Sequence, residues 1–119
     1  RTAWVASFIG QGSLLNVAAG RPGQRLEEAA LMRGLAAVPA ERTQPVLVRP
    51  EHVRVHPASP SSQDLRGRVE SVTFRGERYE LHLRLESGET LIAYHASALG
   101  EGQPVALTLC EGWCLEPDA

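Results

Sequence analysis

The stretch DLRGRVESVTFRGERYELHLRLESGETLIAYHA, residues 64–96, decides the fold class, because apolar and polar side chains alternate through much of it. Charged or polar residues separate four apolar residues at alternate positions: Tyr79, Leu81, Leu83 and Leu85. Successive side chains of a β-strand point to opposite faces of its sheet, whereas a helix repeats about every 3.6 residues. The pattern therefore predicts a strand of an antiparallel sheet with one face in a core and the other in water.

Upstream of this strand, the parity of the apolar positions changes. Leu65 and Val69 fall at odd positions, whereas Val72 and Phe74 fall at even positions, and this change predicts a β-bulge near Glu70–Ser71. The glycines in residues 75–77 and 87–89 predict turns between consecutive strands. Short strands joined by glycine turns are typical of a small barrel or a sandwich, and the bulge, which lets a sheet coil, favours the barrel.

Length and composition limit the classes of protein that remain. The chain has 119 residues, 43% of them hydrophobic, which is enough for one compact domain. All 12 basic residues are arginine, against 14 acidic residues, and a net charge of −2 argues against binding to nucleic acid. No apolar run approaches the ~20 residues that cross a bilayer, and no signal peptide is apparent. Because the chain begins at Arg1 and its one methionine is Met32, we expect a fragment of a longer protein.

The first 20 residues predict a helix followed by a strand. In RTAWVASFIGQG, residues 1–12, Trp4 and Phe8 lie four positions apart, Thr2 can cap the helix, and a glycine can end it. This pattern is typical of a short amphipathic helix that docks on a core. SLLNVAAG, residues 13–20, predicts the first strand.

The segment RLEEAALMRGLAAV, residues 25–38, supports two interpretations. Its alanine, leucine, glutamate and methionine content favours a helix by propensity. Gly34 weakens that interpretation, and a hairpin that turns at Arg33–Gly34 is the alternative.

The stretch VLVRPEHVRV, residues 46–55, predicts two strands on either side of a polar corner. Pro50 cannot donate a backbone hydrogen bond, so it is tolerated where the ladder is interrupted. The proline- and serine-rich stretch 56–64 that follows predicts an exposed loop.

The end of the chain predicts one more strand and a turn. Alternation over Val105–Leu109 indicates a strand, and Glu111–Gly112 reads as a turn before a terminal piece around Trp113 and Leu115.

Catalytic motifs are missing from the sequence. Without a lysine the chain has no ATP-type phosphate loop, and it contains no G-x-S-x-G or H-E-x-x-H motif. His82 lies on the polar face of its strand, where a solvated cross-strand partner is favoured over a general base. Arg66 and Arg68 share a face and could bind an anion, but Glu70 continues that face, so a solvated charged strand is favoured.

Cys110 and Cys114, in CEGWC, do not form a zinc motif by themselves. A structural zinc site needs a second pair of cysteine or histidine ligands at short spacing, and no histidine pair supplies it. We therefore predict no metal site and interpret both cysteines as reduced or packed thiols. A disulfide would require an oxidising compartment.

Three stretches, in this order, resemble the C-terminal regulatory half of bacterial ABC-transporter ATP-binding subunits. VASFIGQGSLL, residues 5–15, resembles the end of the nucleotide-binding domain, and residues 46–55 resemble the family's hydrophobic-R-P-E-[DH] element, here Arg49, Pro50, Glu51 and His52. Residues 65–109 resemble the strands of the domain known as TOBE, for transport-associated oligonucleotide-binding-like.

The resemblance implies a mainly β fold, namely an OB-like small β-barrel with an additional strand lobe and a short N-terminal helix. It implies one regulatory domain over residues 1–119, with a junction helix at 1–12 and barrel lobes at 13–119. It also favours strands over residues 21–45, with a hairpin near Gly34. The resemblance is incomplete at Ser13, where the family often carries asparagine in the pattern FIG-x-x-N.

For function, the resemblance implies a domain without catalytic activity or cofactor of its own. The ATP and Mg²⁺ would bind the nucleotide-binding domain of the parent ATPase, which would contact the transporter's membrane subunits at the cytoplasmic face of the bacterial inner membrane. The regulatory domains of two subunits would form a homodimer. We predict that large apolar side chains form this contact, with burial in the chain's own core as the alternative; the candidates are Trp4, Phe8, Trp113 and Leu115.

The transported solute is predicted to be ferric iron, from FRG at residues 74–76, SGET at 87–90 and ALGEGQPVAL at 98–107. Polyamine, sulfate and sugar importers are the alternatives. A competing function is a small oxyanion sensor whose pocket is lined by Arg49, Arg66 and Arg68.

Overall fold

The computed structural model describes residues 12–18, 20–38, 41–58 and 65–115. These residues form nine strands, one α-helix and one 3-10 turn. In chain order these are β1 (Ser13–Val17), β2 (Arg25–Glu27), α1 (Glu28–Ala36), β3 (Gln44–Val48), the 3-10 turn (Pro50–His52), β4 (Val53–Pro57), β5 (Leu65–Phe74), β6 (Tyr79–Leu85), β7 (Thr90–His95), β8 (Pro104–Leu109) and β9 (Glu111–Cys114). The mainly β fold confirms the predicted class. The predicted helix at 1–12, with Trp4 and Phe8, lies outside the described residues except for Gly12.

The strands form two antiparallel sheets. Sheet 1 has the order β1-β3-β9-β2, and sheet 2 has the order β4-β8-β5-β6-β7. Sheet 2 curls, so that its edge strand β7 contacts both the opposite edge strand β4 and the 3-10 turn. This curled half-barrel is consistent with the predicted OB-like fold, and sheet 1 is the additional strand lobe.

One hydrophobic core joins the two sheets and the helix. Buried side chains from sheet 1, from α1 and from sheet 2 belong to a single cluster, which includes Leu15, Leu31 and Leu83. The sheets also meet at their edges, where the backbone N–H of Ile92 donates to Ser13 Oγ at 3.0 Å. Ser13 is thus buried and joins β1 to β7.

The predicted bulge is confirmed in the pairing of β5 with β6. Val69 pairs with Leu83 and Ser71 pairs with His82, so Glu70 is the extra residue at which the register shifts. The predicted turns on either side of β6 are confirmed as well, and each contains a glycine with positive φ: 91° at Gly76 and 97° at Gly88.

The Arg-Pro-Glu-His corner carries the chain from sheet 1 into sheet 2. Pro50 is buried and opens the 3-10 turn, while the N–H of His52 donates to the carbonyl of Arg49 at 2.9 Å. The chain returns to sheet 1 at Cys110, whose N–H donates to the carbonyl of His52 at 2.8 Å. The two crossings between the sheets are therefore hydrogen-bonded to each other.

The turn predicted at Glu111–Gly112 is wrong, because both residues lie inside β9. Gly112 pairs with Leu26, and a Cβ there would lie 2.6 Å from Val46 Cγ1. The glycine thus meets a packing requirement of sheet 1 and does not mark a reversal of the chain.

The hairpin predicted near Gly34 is also wrong. Residues 28–36 form α1, as propensity predicted, and Gly34 is buried within it. The N–H of Ala18 donates to the carbonyl of Gly34 at 3.0 Å, so this turn of the helix contacts the end of β1 directly. None of the helical segments in the described ranges is long and apolar enough to span a membrane.

Candidate interaction surfaces

The outer face of sheet 1 carries three cross-strand neighbours, Leu14, Leu47 and Trp113, which we call the apolar row. Leu14 pairs with Leu47, which in turn pairs with Trp113. The residues beside them along the strands, such as Leu15 and Val46, belong to the core, so strand alternation places the row on the opposite face. Trp113 is 40% exposed there.

Leu47 is only 2% exposed although it does not belong to the core cluster. A Cβ on Gly12 would lie 2.6 Å from Leu47 Cδ1, so the backbone at Gly12 rests on this side chain. Leu115 is half-buried, and its N–H donates to the carbonyl of Pro45 at 3.0 Å, beside β3. Of the four predicted interface residues, the structure thus places Trp113 on this face and Leu115 at its border, while Trp4 and Phe8 lie outside the described residues.

A charged pair flanks the apolar row. Arg25 is the register partner of Trp113, and its Nη2 lies 2.7 Å from Glu111 Oε1. The hydrogen bond from Arg25 lowers the pKa of Glu111, and the same bond raises the pKa of Arg25. Aromatic and apolar residues with a polar rim are the usual composition of a protein–protein contact.

A second cluster lies at the β5–β6 hairpin. Glu80 is 3% exposed, with Oε2 2.8 Å from His82 Nε2 and Oε1 3.3 Å from Arg75 Nε. The Arg78 guanidinium lies 3.5 Å from the centre of the Tyr94 ring. His82 thus bonds a carboxylate on its own strand, whereas a cross-strand partner was predicted. The burial of Glu80 was missed because alternation alone assigns it to the solvated face.

A third feature is a groove, which we call the arginine groove, lined by Arg66, Arg68 and Arg84 with a volume of about 390 Å³. Arg49, predicted to join Arg66 and Arg68 in a pocket, is not among its lining residues and lies at the corner instead. Glu70, predicted to oppose an anion here, lies with Oε2 2.7 Å from Arg84 Nε.

Both cysteines are free thiols. Cys110 is half-buried and Cys114 is 2% exposed, and burial raises the pKa of the Cys114 thiol. In the described part of the chain, no group of three or more histidine, cysteine, aspartate or glutamate side chains could hold a metal ion.

The sequence is similar to known proteins over most of its length. The family model of the TOBE domain matches residues 46–115. The spermidine/putrescine import ATP-binding protein PotA of Mesorhizobium japonicum is 36% identical over 93 residues, which cover 72% of this chain and 25% of that protein. An uncharacterised ABC transporter ATP-binding protein of Escherichia coli K12, YdcT, is 29% identical over 108 residues, which cover 91% of this chain and 27% of that protein.

The chain therefore spans about a quarter of the length of the curated relatives that it matches. The matched range begins in β3, includes the Arg-Pro-Glu-His corner and all of sheet 2, and ends just after β9. Since the TOBE model covers more than half of the sequence, and the curled sheet agrees with the fold that the sequence predicted, the chain belongs to the TOBE domain family.

Proposed function

We propose that this chain is the regulatory TOBE domain of the ATP-binding subunit of an ABC importer, and that it holds two such subunits together. It has no catalytic activity of its own in this proposal. The parent subunit hydrolyses ATP with Mg²⁺ in a separate nucleotide-binding domain, which contacts the membrane subunits at the cytoplasmic face of the inner membrane. The two ABC-type relatives, of which the chain matches about a quarter each, support this assignment.

The observation that carries the dimerisation role is the exposed Trp113 of the apolar row. Trp113 exposes 40% of its surface in the middle of sheet 1, where it is flanked by the Arg25–Glu111 pair. In a twofold contact the same patch of each protomer meets its copy, so a single patch on each chain is enough to form a dimer. Exposed tryptophan with an arginine beside it is the composition of residues that dominate binding energy in many interfaces.

Sedimentation of the chain across a range of concentrations tests this role. We expect a concentration-dependent dimer, and Trp113→Thr should weaken it by at least tenfold, the loss typical of a central interface residue. A chain that sediments as a monomer at every concentration would contradict the proposal.

Phe74→Thr is the matched control. Phe74 is the other large apolar residue exposed among the described residues, at 58%, but it lies on sheet 2. Its replacement should leave the dimer unchanged. An equal effect of both substitutions would indicate non-specific association through exposed aromatic rings.

For the solute, the relative with a stated cargo is a spermidine/putrescine protein, which favours the polyamine alternative. Ferric iron stays a prediction from the sequence. Uptake of labelled spermidine and of ferric iron by cells that carry or lack the parent gene would distinguish the two.

The coding sequence upstream of Arg1 tests the assignment to an ABC importer, because it should encode a phosphate loop with its lysine.

A further inference from the structure

The arginine groove lies where β5, β6 and β8 meet. Arg68 is central to it, since Arg68 pairs with Arg84 on β6 and with Pro104 on β8. Like charges directly opposite each other on neighbouring strands destabilise a sheet, so the pairing of two arginines has a cost. An anion bound beside Arg68 would lower this cost.

The two arginines differ in how their charge is balanced. Arg84 donates to the Glu70 carboxylate at 2.7 Å. Arg68 donates to the neutral carbonyl of Gly102 at 2.9 Å, and it has no carboxylate partner in the described part of the chain. A guanidinium carries five N–H donors, so Arg68 retains donors for a ligand.

The residues that line the groove include three arginines and the acidic residue Glu86. Glu70 already balances the charge of Arg84, however, so the site depends on Arg68. The Pro104 and Val105 positions add apolar lining. A groove with a few charged groups and apolar walls is the usual form of a small-molecule site.

We propose that the arginine groove binds a small polycarboxylate anion. Most of its lining residues lie on three neighbouring strands, which suits a ligand with more than one carboxylate better than a compact inorganic oxyanion. Carboxylates accept two parallel hydrogen bonds from one guanidinium, which suits neighbouring arginines. This inference goes beyond the proposed function and does not depend on dimerisation.

Calorimetric titration of the 119-residue chain with citrate, at constant ionic strength, tests the proposal. We expect saturable binding, and Arg68→Gln should weaken it by about tenfold or more, because a hydrogen bond to a charged group is lost. Glu86→Gln should strengthen it by removing a like charge. This second variant keeps the test informative if Arg68→Gln destabilises the fold.

Arg33→Gln is the matched control, because Arg33 is an exposed arginine on α1 that does not line the groove. It should bind citrate as the unmodified chain does. Absence of citrate binding, an equal loss in Arg33→Gln and Arg68→Gln, or equally tight binding of sulfate or phosphate would each overturn the proposal. The sedimentation result is independent of all three outcomes, so a failure here leaves the dimerisation role standing.

Discussion

The two sheets of this domain are built from very different parts of the sequence. Three neighbouring strands of sheet 2, β5, β6 and β7, are consecutive and joined by glycine turns. In sheet 1 the neighbours β3 and β9 are separated by all of sheet 2 along the chain. Local alternation therefore specifies most of sheet 2, whereas sheet 1 depends on contacts between distant segments, which a local pattern does not reveal.

The largest expected effects test whether the two sheets nevertheless unfold together. Leu31 of α1 covers sheet 1, Leu83 lies in sheet 2, and both are 0% exposed in one cluster. Leu31→Ala and Leu83→Ala should each lower the free energy of unfolding by about 3 kcal/mol through lost burial and a cavity. Because the core is shared, urea denaturation should show one transition for either variant. Two separate transitions would contradict this.

Replacing one close-packed glycine in each sheet by alanine should lower the stability of the fold by a smaller and unequal amount. A Cβ on Gly67 of sheet 2 would lie 2.7 Å from the backbone oxygen of Arg84, whereas one on Gly112 of sheet 1 would meet the Val46 side chain. A backbone atom in a paired strand moves less readily, so Gly67→Ala should cost about 2–3 kcal/mol and Gly112→Ala less, with midpoints measured in urea.

Gly100→Ala is the control for these two substitutions. A Cβ added at Gly100 would have Gln103 Oε1 as its nearest neighbour, at 3.8 Å, which is an ordinary contact. Its unfolding midpoint should stay close to that of the unmodified chain. A greater loss from Gly112→Ala than from Gly67→Ala would show that sheet 1 is the less adaptable of the two.

The two cysteines lie in different places: Cys114 belongs to sheet 1, and Cys110 lies at the crossing between the sheets. Burial raises the pKa of Cys114, so less thiolate is present at neutral pH, and its side chain is also inaccessible. Iodoacetamide should modify Cys110 before Cys114, as followed by mass spectrometry. Faster modification of Cys114 would show that sheet 1 opens at its β9 strand.

The smallest effect concerns the exposed pair Arg25–Glu111, which joins β2 to β9. The pKa of Glu111 is lower in the folded chain than its ordinary value, so the pair stabilises the fold above that value and the contribution is lost as the pH falls through the folded pKa. Glu111→Gln should therefore lower stability slightly at pH 7, and this loss should shrink as the pH falls through the acidic range. Thermal unfolding at pH 7 and at successively lower pH values measures this difference.

Glu27→Gln is the control for the pH series. Glu27 lies on the same strand as Arg25, but its oxygen is 3.9 Å from the guanidinium and its side chain is 82% exposed. Its replacement should change stability less than Glu111→Gln does at pH 7, and a larger effect would assign the pH dependence to the wrong carboxylate.

Much of sheet 2 could be predicted because each feature has a local signal. The apolar residues of β6 alternate strictly, the change of parity at Glu70 locates the bulge, and the glycines at 76 and 88 locate the turns. The burial of Glu80 was missed on this sheet; Arg75 and His82 both bond its carboxylate.

The two errors on sheet 1 and its helix both concern glycine. Gly34 and Gly112 were interpreted as turn residues, but one lies within α1 and the other within β9. Gly112 is glycine because Val46 approaches closely, whereas Gly34 contacts Ala18 only through its backbone carbonyl. A single sequence does not distinguish a glycine required by a turn from one required by a distant neighbour.

The candidate surfaces were predicted only in part for the same reason. Trp113 was predicted as an interface residue from its size alone, and Leu47 could be identified as its neighbour only from the pairing of β3 with β9. Arg66 and Arg68 were grouped correctly by parity, whereas Arg84 joins them only through the register of β5 with β6.

The position of β9 has a consequence for biosynthesis. This strand lies in the interior of sheet 1, between β3 and β2, yet it is the last strand of the described chain to be translated. All five strands of sheet 2 precede β9 in the chain, and β2 has no strand partner until β9 is present. Sheet 1 and its apolar row therefore cannot be completed before every strand of sheet 2 has been synthesised.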